Sequence, residues 1–127
     1  GQGREEKVQF SWQNQYEVAT IAVLLRKDTD ICRLLETQQA TNEEIKIIII
    51  SPYKSQVDLL KSQVRLPTCA NKASLMISTV DSFQGQEGDI VILSTVRTKA
   101  IGFVDDPQRL NVALTRAKRV LRVVGDK

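Results

Sequence analysis

The 127-residue chain is 42% apolar and 26% charged, with a net charge of +3 and a pI near 9.0, a composition that fits one soluble globular domain built on one core. Histidine is absent, which excludes His-based triads, His metal sites and imidazole acid–base chemistry. No apolar run approaches the ~20 residues of a membrane span, the first residues lack the apolar core of a signal peptide, and Cys32 and Cys69 have neither metal-type nor C-x-x-C spacing, so both read as reduced thiols of an intracellular protein.

Lys7–Ser11 reads as a short strand. From Asn14 to about Lys27 the chain reads as a helix, because Val18, Ile21, Ala22 and Leu25 recur at i, i+3, i+4 and i+7. A bent continuation of that helix takes in Ile31, Leu34 and Leu35. Gln38–Glu44 is polar and uncapped and reads as a loop. Ile45-Lys-Ile-Ile-Ile-Ile50 is the β-branched apolar run of a fully buried strand, and Pro52 forbids continuing its ladder. Tyr53–Arg65 suits a helix with Val57, Leu60 and Val64 on one face. Leu75–Val80 and Asp89–Thr95 read as two more buried strands. Asp106-Pro107 is a strong helix start, an N-cap followed by Pro at the first helical position. That helix is expected to run to about Lys118, and Val120–Val124 to form a last strand.

Strands alternating with helices predict a three-layer α/β/α domain with a mostly parallel central sheet, spanning residues 1–127 as a single unit. In such sheets ligands bind in loops beyond the strand C-termini. Three polar loops follow strands here, at Ser51–Tyr53, at Asp81–Glu87 and from Arg97 onward, and the topology is expected to gather them on one edge. The middle loop is the most unusual. Asp81-Ser-Phe-Gln-Gly-Gln-Glu-Gly-Asp89 is longer than a hairpin needs and carries carboxylates, amides and a hydroxyl.

Charge and motif content narrow the chemistry. From Arg97 to Lys127, Lys and Arg outnumber the three acids Asp105, Asp106 and Asp126, which points to a phosphate-bearing partner, nucleotide or nucleic acid. At ~100° per residue, Leu110, Ala113, Leu114 and Ala117 share one face of the expected helix, with Arg116 beside Arg109 at its edge. Guanidinium groups so placed can form bidentate contacts to phosphate. Yet none of the six glycines is followed by Lys, so the chain has no Gly-x-x-x-x-Gly-Lys-Ser/Thr triphosphate cradle. Phosphate-facing arginines without that cradle describe half of an ATPase.

At this level of detail the chain resembles the second RecA-like motor domain of superfamily 1 RNA/DNA helicases, in the group that contains the nonsense-mediated-decay helicase and senataxin. "IIIISPYKSQ" (47–56) resembles motif IV, "STVDSFQGQEGDIVILSTVR" (78–97) motif V with its following strand, and "IGFVDDPQRLNVALTRAKRVLRVVGD" (101–126) motif VI with its lead-in. "SWQNQYEV" (11–18) resembles the family's S-x-x-N-x-x-E stretch. The resemblance implies an ATP-dependent helicase, cytoplasmic or nuclear, whose Mg²⁺-bound ATP is held mainly by a first RecA-like domain of the same polypeptide. It further implies single-stranded RNA or DNA as partner, no membrane and no obligate oligomer, and an isolated chain that does not hydrolyse ATP. The other reading is a non-catalytic nucleic-acid-binding or scaffold domain of the same fold.

The resemblance also assigns residues. Arg116 would be the arginine finger that reaches the γ-phosphate. Glu87 would meet the nucleotide on its ribose or γ-phosphate side, Gly85 would let backbone approach it, and Tyr53 and Gln56 would lie nearby. Arg109 would serve either this cleft or, with Arg97, internal ion pairs to Asp81 or Asp89. Thr79 and Ser78 would bond a nucleic-acid phosphate, with Lys118 on that side or solvated. One departure is Gln15, where some members carry an arginine as a second γ-phosphate contact. Asn14 and Glu17 are kept, fixing the loop rather than touching ligand.

Overall fold

A computed structural model describes residues 5–8, 11–41, 43–66, 72–80, 82, 86–95 and 117–124. Their order is β1 (Glu5–Val8), β2 (Ser11–Asn14), α1 (Gln15–Lys27), α2 (Thr29–Thr41), β3 (Ile45–Ser51), α3 (Lys54–Gln63), β4 (Ala73–Thr79), β5 (Gly88–Ser94) and β6 (Ala117–Val124). Four strands form one sheet in the order β4-β3-β5-β6, every neighbour pair parallel. This is the expected α/β class, a parallel sheet flanked by helices, consistent with a RecA-like domain.

The apolar runs of β3 and β5 occupy the sheet centre because such strands must bury both faces. Alternation then sorts their side chains. Ile45, Ile47, Ile49, Ile90 and Ile92 join Val18, Ile21, Leu25, Ile31, Leu35 and Leu60 of the helices in the larger core cluster. Ile48, Ile50, Val91 and Leu93 point the other way into a second cluster with Val80. Gly88, at the start of β5, sits hard against this packing: a Cβ there would lie 2.9 Å from Ile48 Cδ1.

Several expectations change. The strand expected at Lys7–Ser11 is instead parts of two antiparallel strands, with Val8 opposite Ser11 and Glu5 opposite Asn14. The strand at Leu75–Val80 is a sheet edge and mostly half-buried rather than fully buried. Residues 38–41, expected as loop, are the last turn of α2. Gln is a good helix former, Gln38 is buried, and the Thr37 and Thr41 hydroxyls donate back to the carbonyls of Arg33 and Thr37. The helix expected from 107 to 118 falls mostly outside the described residues. Ala117 and Lys118, however, already belong to β6, because their backbone enters the parallel ladder beside β5.

The bent helix resolves into two helices broken at Asp28. Its ψ of 125° is extended, its N–H closes α1 on Leu24 O at 2.9 Å, and its carboxylate accepts from the N–H groups of Asp30 (3.0 Å) and Ile31 (3.2 Å) to cap α2. Arg122 of β6 fixes the junction, its Nε donating to Asp28 Oδ2 at 2.8 Å and its Nη2 to Asp30 Oδ2 at 2.6 Å. The Arg122 hydrogen bond holds the Asp28 carboxyl below its ordinary value of 3.8. A lowered folded-state pKa means that this contribution is present above the unfolded value and lost as pH falls through the folded one. Asp28→Asn, which keeps a capping oxygen, is therefore expected to flatten part of the loss in urea-unfolding midpoint below about pH 4, whereas Asp28→Ala costs about 1 kcal/mol at neutral pH through the lost cap. Identical acid profiles for Asp28→Asn and the parent chain would dismiss the junction as a pH-sensitive contact.

Candidate functional site at the two sheet edges

Four parallel strands give the sheet a C-terminal edge at Ser51, Thr79, Ser94 and Val124 and an N-terminal edge at Ile45, Ala73, Gly88 and Ala117. The polar segment 80–87 leaves β4 at the first edge and enters β5 at the second, roughly 20 Å away for seven-residue strands. The three polar loops all leave from the C-terminal edge, as expected, after Ser51, Thr79 and Ser94, and the second of them reaches the N-terminal edge only where it enters β5. Tyr53, Ser78 and Thr79 lie at the C-terminal edge. Glu87 and Lys118, both exposed, lie at the N-terminal edge. Gly85, Arg109 and Arg116, like Asp81 and Arg97, fall outside the described residues.

Gln56, in the first turn of α3, is fully buried. Its Nε2 donates to Asn14 O and to Ser94 Oγ, each at 3.1 Å, and its Oε1 accepts from Asn14 N at 2.7 Å. Ser94 Oγ in turn donates to Glu17 Oε1 at 2.7 Å, and Asn14 Oδ1 accepts from Glu17 N at 3.1 Å as the N-cap of α1. One amide thereby ties the β2–α1 junction, α3 and β5 together. Asn14 and Glu17 of the S-x-x-N-x-x-E stretch sit inside this network. Gln15 lies outside it, exposed, with its Nε2 donating to Gln63 Oε1 at 2.6 Å.

At the N-terminal edge the side chains of Gln86 and Asp89, on either side of the Glu87–Gly88 step, are both held by Lys46. Lys46 Nζ donates to Gln86 Oε1 at 2.9 Å, and Lys46 N donates to Asp89 Oδ2 at 2.9 Å. Arg119 Nε lies 3.6 Å from Asp89 Oδ1, and its Nη2 lies 3.7 Å from Glu43 Oε2. Among the described residues the cation facing Asp89 is therefore Arg119, a partner the sequence reading missed because β3, β5 and β6 become neighbours only in the sheet. The register pairs Gly88 with Ala117. The immediate chain neighbours of those two residues are Glu87 and Arg116.

At the C-terminal edge a notch of about 200 Å³ opens between α3 and the end of β4. Ser78, Thr79, Ser82, Lys54 and Lys61 line it over an apolar floor of Val57 and Ile77. Thr79 Oγ1 accepts from Ser82 N at 3.3 Å and donates to Ser82 Oγ at 3.0 Å, while Ser78 Oγ donates to Thr79 O at 2.9 Å. The two lysines and Ser82 were not anticipated as site residues. Their signal is nonetheless in the sequence, since Lys54 and Lys61 stand seven apart and so share a helix face. Among the described residues no three Cys, Asp or Glu side chains gather as a metal site, and no helix is long and apolar enough to cross a membrane.

Comparison with known proteins gives these edges a family context. An AAA domain family model matches residues 1–127. An ATP-dependent helicase of Methanocaldococcus jannaschii is 34% identical over 124 residues, 98% of this chain and 16% of the relative. The 5'-3' DNA helicase ZGRF1 of Mus musculus is 41% identical over 115 residues, 87% of the chain and 6% of the relative. Regulator of nonsense transcripts 1 of Dictyostelium discoideum is 44% identical over 87 residues, 64% of the chain and 6% of the relative. The chain thus spans less than a fifth of the length of these curated relatives. With its whole length matched by that family model and helicases among its relatives, the chain belongs to the AAA domain family.

Proposed function

We propose that the chain is the second motor domain of an ATP-dependent superfamily 1 RNA/DNA helicase, supplying the arginine finger and part of the nucleic-acid track. The observation that carries this reading is the pairing of Gly88 with Ala117. It sets the chain neighbours of Glu87 and Arg116 side by side on the N-terminal edge, while Ser78 and Thr79 end β4 on the opposite edge. A nucleotide at the first edge and a nucleic acid at the second are then joined by one covalent segment, residues 80–87. Parallel strands of fixed length keep the two sites apart, and the segment makes each sensitive to the other.

In this reading Arg116 faces the γ-phosphate across a cleft whose opposite wall is a first RecA-like domain of the same polypeptide. Glu87 orients the nucleotide, with the side chains of Gln86 and Asp89 beside it held by Lys46. Magnesium-bound ATP, held mainly by that first domain, supplies the phosphoanhydride whose cleavage drives the cycle. Closure around it and reopening form a two-state switch, which the 80–87 segment conveys to the strand held near Thr79. The partner strand is single-stranded RNA or DNA, followed along its backbone without base readout. The protein acts in the cytoplasm or nucleus, with no membrane association and no obligate oligomer.

The test compares two proteins. The full-length protein is expected to hydrolyse ATP faster when single-stranded nucleic acid is added, and residues 1–127 alone to show no turnover, because the triphosphate cradle is absent from them. A full-length protein that binds nucleic acid but hydrolyses no ATP would move the chain to the scaffold reading. Turnover by residues 1–127 alone would sink the two-domain division of labour.

A further inference from the structure

We propose that Asp89 and Arg119 form a clamp that holds the Glu87–Gly88 step and the start of β6 in the relative placement that ATP hydrolysis needs. The clamp sits at an irregularity of the sheet. Gly88 faces Ala117 and Ile90 faces Val120, so Asp89 alone opposes two residues of β6, Lys118 and Arg119. An extra residue on one strand is a bulge, which interrupts the ladder locally and re-aims a side chain. The backbone pairing is therefore broken where the chain neighbours of Glu87 and Arg116 meet, and side chains carry the link there.

Asp89 is the centre of that link. Its side chain is 18% exposed. Its Oδ2 accepts from Lys46 N of β3 at 2.9 Å, and its Oδ1 lies 3.6 Å from Arg119 Nε of β6. One carboxylate on β5 thus spans the N-terminal ends of three strands. Lys46 extends the link past Glu87, its Nζ donating to Gln86 Oε1 at 2.9 Å. Glu43, 3.7 Å from Arg119 Nη2, is 57% exposed, so water and salt screen its attraction more than that of Asp89. A partly exposed ion pair adds little to global stability. Misplacing a reacting group by about 1 Å, by contrast, costs about 10²-fold in rate. Loss of the clamp is therefore read in kcat and not in unfolding. Asp89 and Arg119 act through Glu87 and Arg116, as positioning residues.

This rests on the helicase reading, because it assigns the clamp to the ATPase step. ATPase kinetics of the full-length protein are measured at saturating oligo(dT) or oligo(U), and oligonucleotide binding without nucleotide reports an intact fold. Arg119→Ala is expected to lower kcat about tenfold or more, with KM for ATP and oligonucleotide affinity each within about twofold. Arg119→Lys, which keeps a cation opposite Asp89, is expected to recover part of the rate. Asp89→Asn keeps an acceptor for Lys46 N and is expected to lower kcat as Arg119→Ala does. Combining the two is expected to cost no more than either alone, the mark of one coupled pair. Glu43→Gln is expected to keep the parental kcat, since Arg119 still faces Asp89. A parental kcat in Arg119→Ala overturns the clamp, while the helicase reading stands on the ATPase of the parental protein. Additive losses in the double variant also overturn it, as does oligonucleotide binding that falls in step with kcat, the result of a merely structural pair. An Arg119→Ala loss with a fully active Asp89→Asn overturns it too, because Arg119 then acts without its carboxylate. A parental protein with no ATPase activity overturns both readings.

Discussion

Arg116→Ala in the full-length protein is expected to lower kcat for ATP by about 10³-fold or more, with nucleic-acid affinity changed little. Charge spreads over the transferring phosphoryl oxygens in the transition state, and a guanidinium placed across the cleft stabilises it there more than in the ground state. A 10³-fold loss corresponds to ~4 kcal/mol, the scale of one well-placed ionic donor. Position 15 cannot take over this role. Where some relatives of this type carry a second arginine, this chain has a neutral Gln15 whose amide is paired with Gln63. Arg116→Lys is expected to recover only part of the rate, because an ammonium keeps the charge and loses the bidentate fork. Steady-state ATPase kinetics at saturating nucleic acid decide the matter, and a fully active Arg116→Ala protein would remove the finger assignment.

Gln56→Ala is expected to lower the stability of the domain by about 3 kcal/mol or more, while ATP KM in the folded fraction stays within about twofold. Gln56, Asn14 and Ser94 are all fully buried. Truncation takes a partner from the N–H and C=O of Asn14 and from the hydroxyl of Ser94 at once. Each buried polar group that loses its partner costs about 1–3 kcal/mol, and the missing side chain adds a cavity cost. The sequence resemblance had placed Gln56 near the nucleotide. Its saturated amide and zero exposure make it a structural tie between α3, β5 and the start of α1. Urea unfolding followed by far-UV circular dichroism gives the stability, and ATP titration of the ATPase rate below the transition gives KM. An unchanged unfolding midpoint together with a raised KM would return Gln56 to the nucleotide.

Local pattern carried much of the fold. Ile45–Ile50 and Ile90–Leu93 are apolar at every position but Lys46, which identifies strands buried on both faces wherever they end up in a sheet. The spacing of Val57 and Leu60 identifies α3 in the same way. Less legible was the break at Asp28. Its carboxylate is a plausible cap on sequence alone, but the arginine that anchors it lies 94 residues away, and no window of local sequence contains both. The polar end of α2 misled for a related reason, since Gln38 is buried there by packing that no local window shows.

The sequence by itself determined the apolar strands β3 and β5 and the apolar helix faces of α1 and α3. Only the tertiary structure decided the strand order β4-β3-β5-β6, and with it the division of the polar 80–87 segment between two edges, the ion pair of Arg119 with Asp89, and the meeting of Lys54 and Lys61 with the end of β4. The reason is the range of the interactions. Side-chain periodicity is set by the backbone of a single element, whereas strand order and direction depend on which distant surfaces can be buried together.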